Sequence, residues 1–128
     1  MTIKFEFRDN GVIMWHSANI TGSEVLQANS DVYSHKYDRG LEFQLIDLSE
    51  VSEFHASSSD MMMLAKMDRD VKKDKKQFAC VVTPSDLLFG ISRQWSIQSE
   101  GDDFETNVVR SIHESIIWLE SKGISVSI

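Results

Sequence analysis

Hydroxyl, imidazole and carboxylate groups crowd together in one stretch, Gln44 to Met67, which reads QLIDLSEVSEFHASSSDMMMLAKM. Asp47 lies in an apolar run, His55 precedes Ser57, Ser58 and Ser59, and a methionine-rich segment follows. Three chemistries suit this set. One serine could be a nucleophile with His55 as its base, one could carry a phosphate or touch a ligand, or one could simply cap a helix. Nucleophilic catalysis is disfavoured, because no glycine flanks the serines as a GxSxG elbow requires. His55 is also too near them in sequence for a base acting on a helix N-cap. Capping contributes about 1 kcal/mol, and a helix N-terminus also favours anions. The segment therefore predicts no catalytic residue. It nominates Asp47, His55, Ser57, Ser58 and Ser59 as regulatory or ligand-site candidates.

A second group is apolar. Met61, Met62 and Met63 cannot all face one way, because consecutive helical residues are about 100° apart. Met63 is expected on the core side with Leu64, Met67 and Val71, leaving Met61 or Met62 at the margin. Further on, Phe89, Gly90, Arg93 and Trp95 fall within one predicted helix. Gly90 there suggests a close backbone approach. Arg93 is expected to meet a local carboxylate or to join Trp95 in a cleft or interface. Met61, Met62, Phe89, Arg93 and Trp95 are thus interface or apolar-pocket candidates.

Other chemistry is absent from the pattern. The four histidines, His16, His35, His55 and His113, show no HExxH or other short metal spacing, and Cys80 is the single cysteine. There is no P-loop and no GxGxxG. No metal and no cofactor are expected. Cys80 sits among apolar neighbours and reads as a buried, inert thiol. The formal net charge of −7 opposes nucleic-acid and anionic-lipid binding. Lys72, Lys73, Lys75 and Lys76, interrupted by Asp74, read as a solvated helix end. No segment has the length of an apolar membrane span or a secretory leader, so a soluble cytoplasmic protein is expected.

The elements that must position these groups follow from periodicity. With 128 residues, one domain is expected. Ile3, Phe5 and Phe7 alternate with charged residues, Asp9-Asn10-Gly11 turns the chain, and Val12 to His16 returns it. Thr21-Gly22-Ser23-Glu24 has capping-box spacing before a helix striped by Val25, Leu26, Asn29, Val32 and Tyr33. Asn29, polar within that stripe, must find partners, and a nearby loop is expected to supply them, with ligand binding as the alternative. Leu41 to Leu48 is rich in apolar residues on both alternating faces, as a central strand buried on two sides is, and Gln77 to Val82 is a second central strand. Thr83 and Pro84 suit the N-cap and first position of a helix whose inward face is Leu87, Leu88, Ile91 and Trp95. A strand over Glu105 to Arg110 and a helix capped by Ser111 and stopped at Gly123 complete the order β-β-α-β-α-β-α-β-α, followed by a short strand or ordered tail. This order predicts an α/β fold with a mostly parallel sheet and an antiparallel N-terminal strand.

Ile46-Asp47-Leu48-Ser49-Glu50-Val51, then Ser57 and a helix, resembles the centre of STAS domains. Ile20 to Glu24, Phe89 to Arg93 and Trp118-Leu119 extend the likeness, and the whole chain resembles the SpoIIAA-like family, related to CRAL-TRIO lipid-binding domains. The resemblance implies a βα superhelix whose helices largely cover one side of the sheet. In phospho-regulated STAS domains an Asp-Ser-Ser-Gly sequence opens this helix. This chain has His55 in place of the Asp and Ser58 in place of the Gly, which puts the phosphorylated serine at Ser57. The implied function is a non-enzymatic protein-interaction or regulatory module, and the alternative is a carrier or sensor of a lipid or small apolar ligand. Since the central strands are apolar on both faces, the uncovered face calls for a tail or a second protomer, and a homodimer is expected.

Overall fold

Asp9 and Asn10 form the two-residue turn of a hairpin in which Arg8 pairs with Gly11. From that hairpin the chain runs β1 (Ile3–Arg8), β2 (Gly11–Ile20), α1 (Gly22–Ser34), β3 (Phe43–Phe54), α2 (Ser58–Asp70), β4 (Gln77–Val82), α3 (Asp86–Ser99), β5 (Phe104–Val109) and α4 (Ile112–Ser121). This computed structural model describes residues 2–128. The strands lie in the order β1-β2-β3-β4-β5, with β1 antiparallel to β2 and the rest parallel. The α/β class, the element order and the antiparallel N-terminal strand are as the periodicity predicts.

Strand order equals chain order, so every parallel connection steps the same way across the sheet. Right-handed crossovers then place α1, α2 and α3 on one face. Val12, Met14 and Ile20 pack there with Ala28 and Val32 of α1. Leu48, Ala79, Val81 and Val108 pack with Ala65 of α2 and Leu88 and Trp95 of α3. The alternate residues Ile13, Phe43, Leu45, Cys80, Val82 and Val109 face the other way. They meet Leu119 of α4 and then Ile124 and Val126 of the tail, which follows α4 without forming a strand. The chain itself thus covers the second face, which removes the reason for expecting a partner protomer there. Among the described residues no helix is long and apolar enough to cross a membrane.

Several expectations need correction. Ser49 to Phe54 is strand rather than loop, paired with β2 as a two-stranded ribbon beyond the end of β4. Its exposed Ser49, Glu50, Ser52 and Glu53 hid it, because only Val51 and Phe54 turn towards the core and their spacing is not the alternation of a strand. Helix α3 is capped by Ser85, not Thr83. Thr83 is fully buried and its N–H continues the sheet by donating to the Val109 carbonyl, so the chain cannot turn into a helix until two residues later. Leu87 is therefore 72% exposed, and the inward face of α3 is Leu88, Ser92, Trp95, Ser96 and Ser99. Met63 is 54% exposed, and α2 turns Met61, Leu64, Ala65 and Asp68 inward instead. Gly90 is exposed, with open space where a side chain would be, so no close approach requires it. Phe104, fully buried, belongs to β5 and to the core.

The close approach lies at Gly22. A Cβ there would sit 2.0 Å from Asp60 Oδ2, so the first turns of α1 and α2 touch. The same oxygen accepts the Ser57 N–H at 2.9 Å and closes the α2 capping box. Gly22→Ala should push this carboxylate away and cost about 1 kcal/mol, the usual worth of a cap, outweighing the small helix-propensity gain at a terminal position. In an Asp60→Ala background the same substitution should cost nothing further. Denaturant midpoints of the four proteins check this, and an equal cost in both backgrounds contradicts it.

Candidate functional site

Helix α2 buries Met61, Leu64, Ala65 and Asp68 along one stripe, which carries a carboxylate into the interior. Asp68 is 2% exposed. Its Oδ1 accepts the Tyr33 hydroxyl of α1 at 2.7 Å, and its Oδ2 accepts the Trp95 indole N–H of α3 at 2.8 Å. Gln44 of β3 donates from Nε2 to the Tyr33 oxygen at 3.2 Å. Lys73, whose side chain has no exposed surface, donates to the Asp68 and Val71 carbonyls. Burial pushes the Asp68 carboxyl above its ordinary range, against the pull of Tyr33, Trp95, Asn29 and Lys73. Burial and the neighbouring Asp68 likewise raise Tyr33, so its hydroxyl stays protonated.

Beside this network is a cavity of about 60 Å³. His16, Asn29, Gln44, Asp68, Ser92 and Trp95 supply its polar wall, and apolar side chains from β2, β3, β4 and all three helices supply the rest. Asn29 is 5% exposed, and its Nδ2 finds no acceptor in hydrogen-bond geometry among the described residues. The loop partner expected for that amide is missing. Its proximity to Asp68 still favours the anion. His16 is also 5% exposed, with Nδ1 3.4 Å from the Met14 carbonyl. Burial holds its pKa below the ordinary imidazole value, while the backbone carbonyl, Asp47 and Glu24 act the other way.

The serine cluster lies elsewhere. Ser57 caps α2, its hydroxyl accepting the Asp60 N–H at 3.0 Å, and Ser58 and Ser59 are exposed first-turn residues. The exposed His55 ring lies 3.8 Å from Glu53, and its backbone N–H donates to Ile20. Asp47 is buried and accepts the Ser49 N–H at 3.0 Å. Because β3 continues to Phe54, roughly 20 Å of strand separates Asp47 from the end of the element. These carboxylate and hydroxyl candidates therefore do not form one site.

Among the apolar candidates, Met61 and Trp95 meet in the cavity. Met62 and Arg93 are exposed, and Arg93 makes no ion pair among the described residues. Phe89 lies under the Arg110 guanidinium, 3.9 Å from ring centroid to Cζ. In the lysine run, Lys75 and Lys76 pair with Glu42 and Glu105, and Lys72 is exposed. Burial pushes the Cys80 thiol up to about 12, which keeps it protonated. Among the described residues no three His, Cys, Asp or Glu side chains cluster as a metal site would need. Sequence reasoning missed His16, Gln44 and Asp68. The available signal was Asp68 standing seven residues after Met61, in phase with Leu64 and Ala65.

Two titrations should oppose one another. Asp68, raised in the folded state, contributes stability at pH below its ordinary value of 3.8 and loses it as pH rises through the folded value. His16, lowered in the folded state, contributes stability above 6.5 and loses it as pH falls through the folded value. Thermal melts across pH 3 to 8 should show Asp68→Asn steepening the acid-side loss and His16→Gln flattening it. Profiles of both variants parallel to the parent would contradict these assignments.

Compared with protein-family models, the chain matches none. No curated protein is significantly similar to it.

Proposed function

We propose that this chain is a non-enzymatic interaction or regulatory module of the SpoIIAA-like type, working through the head of α2. The observation that carries this reading is the surface of that helix. Met62 and Met63 are 61% and 54% exposed, one turn from the exposed Ser57, Ser58 and Ser59. Adjacent unbranched thioethers adapt to partner surfaces, and hydroxyls at a helix N-terminus can be read or phosphorylated. The buried stripe of α2 anchors it through Asp68, so its outer face is free to serve a partner without supporting the core. A serine-headed helix on a singly wound βα sheet also supports the SpoIIAA-like kinship.

The alternative, a carrier of lipid or a small apolar ligand, has the Asp68 cavity on its side. Its roughly 60 Å³ accommodates about four to six water-sized groups, far short of a long acyl chain. A lipid would require the three helices to separate.

Affinity capture from the native host with quantitative mass spectrometry tests the partner reading. Met62→Glu with Met63→Glu should reduce specific partner recovery about tenfold, the effect of losing one modest hot spot. Stability should change by about 0.5 kcal/mol or less, as for other surface substitutions. Ser57→Asp separates the switch from the fold, because aspartate caps a helix as well as serine does. It should alter partner recovery while leaving the melting curve in place. Unchanged recovery in both variants would remove the basis for this reading.

A further inference from the structure

We infer that the cavity beside Asp68 is a binding site for a small neutral molecule carrying a hydroxyl on a short aliphatic body. The polar end of the cavity sets this chemistry. Asn29 presents a buried Nδ2 donor with no acceptor among the described residues. Asp68 accepts one hydrogen bond on each oxygen, from Tyr33 and from Trp95, and a carboxylate has acceptor capacity for more. A hydroxyl meets both needs, accepting from Asn29 and donating to Asp68. A carbonyl would satisfy Asn29 but turn its lone pairs towards the carboxylate. An ammonium would set its N–H groups against the Asn29 donor, and an anion would be repelled by Asp68.

The rest of the wall sets the body of the ligand. Beyond the polar groups the lining is apolar, with Met14, Leu64, Val81 and Leu88 among its residues. One water at the polar end would fill about 10–15 Å³ of the roughly 60 Å³, and an apolar remainder does not hold water well. A chain of about four carbons fits that remainder. Met61 and Ile91, both partly exposed, are lining residues that solvent reaches, one from each of two adjacent helices. The inference extends beyond the partner reading and does not depend on it, since the cavity lining includes none of Ser57, Ser58, Ser59, Met62 and Met63 at the head of α2.

The test uses isotope-labelled protein, following the Asn29 side-chain amide and the Trp95 indole N–H by NMR during titration with 1-butanol or, separately, with n-pentane. Both signals should shift saturably with 1-butanol, at an affinity no weaker than that for n-pentane. In Asn29→Leu the order should reverse, with the hydrocarbon preferred about tenfold or more, because the hydroxyl then enters without its donor. The wild-type comparison decides the matter even where the variant fails to fold. Wild-type protein that binds n-pentane more tightly than 1-butanol contains a purely apolar void, and shifts that never saturate with 1-butanol mean that only water occupies the space. Either result overturns the inference.

Discussion

A single buried carboxylate fixes the three-helix face of this molecule. Asp68 takes a hydrogen bond from Tyr33 on α1 and another from Trp95 on α3, so α2 is tied to both neighbours through one side chain. Desolvating a carboxylate is expensive, and the network supplies what the interior must provide in return: charge-assisted donors and the nearby Lys73 ammonium. Apolar contacts alone would let the helices slide over the sheet at little cost. Directional bonds at one point do not, because a shift of an ångström would leave a buried donor or acceptor unpaired. Lys73 reinforces the same point, holding the end of α2 through its carbonyls while its Nζ lies 5.0 Å from the Phe104 ring centroid.

The two faces of the sheet are consequently packed by different rules. On the α4 face, Phe43, Leu45 and Leu119 interlock with Cys80, Val82 and the tail residues, and the buried hydroxyl of α4, Ser115, is satisfied within its own helix by the Ile112 carbonyl. On the three-helix face, polar groups share the interior with short side chains such as Ala28 and Ser92. Helices held by hydrogen bonds of fixed length cannot collapse onto short side chains, so space remains beside Asp68. The cavity is thus a consequence of the network, and both arise on the face where chain order forces three crossover helices into a row.

How much of this was legible depended on whether a residue's pattern matched its burial. The central strands were legible because Phe43 to Leu48 and Gln77 to Val82 carry apolar residues on both alternating faces. The caps at Thr21, Ser57 and Ser111 were legible because hydroxyl and carboxylate stand at the spacing that capping demands. The outer half of β3 was not, since Ser49, Glu50, Ser52 and Glu53 are polar and solvated and leave only Val51 and Phe54 facing the core. The phase of α2 was misread because Met63 looks like core and Asp68 looks like surface, whereas each does the opposite. A buried acid becomes intelligible only when Tyr33 and Trp95, far away in sequence, arrive as its donors. The candidate site suffered the same way: Trp95 and Met61 were named for their apolar character, and the polar groups that give the cavity its chemistry were not, apart from the anomaly noted at Asn29.

The division within α2 follows from helical geometry. Eleven residues separate Ser57 from Asp68, about 16 Å along the axis. Met61, Leu64, Ala65 and Asp68 face the sheet, while Ser58, Ser59, Met62, Met63 and Lys66 face solvent. No solvent-facing member of that set is needed to hold the helix in place, because the anchoring groups all lie on the opposite stripe. Substitution or modification of the outer surface therefore acts on recognition before it acts on the fold. The reverse holds for the inner stripe, where any change to Asp68 is felt at once by α1 and α3. One helix can present a variable surface at its head because its interior contacts are specified by direction as well as by apolarity.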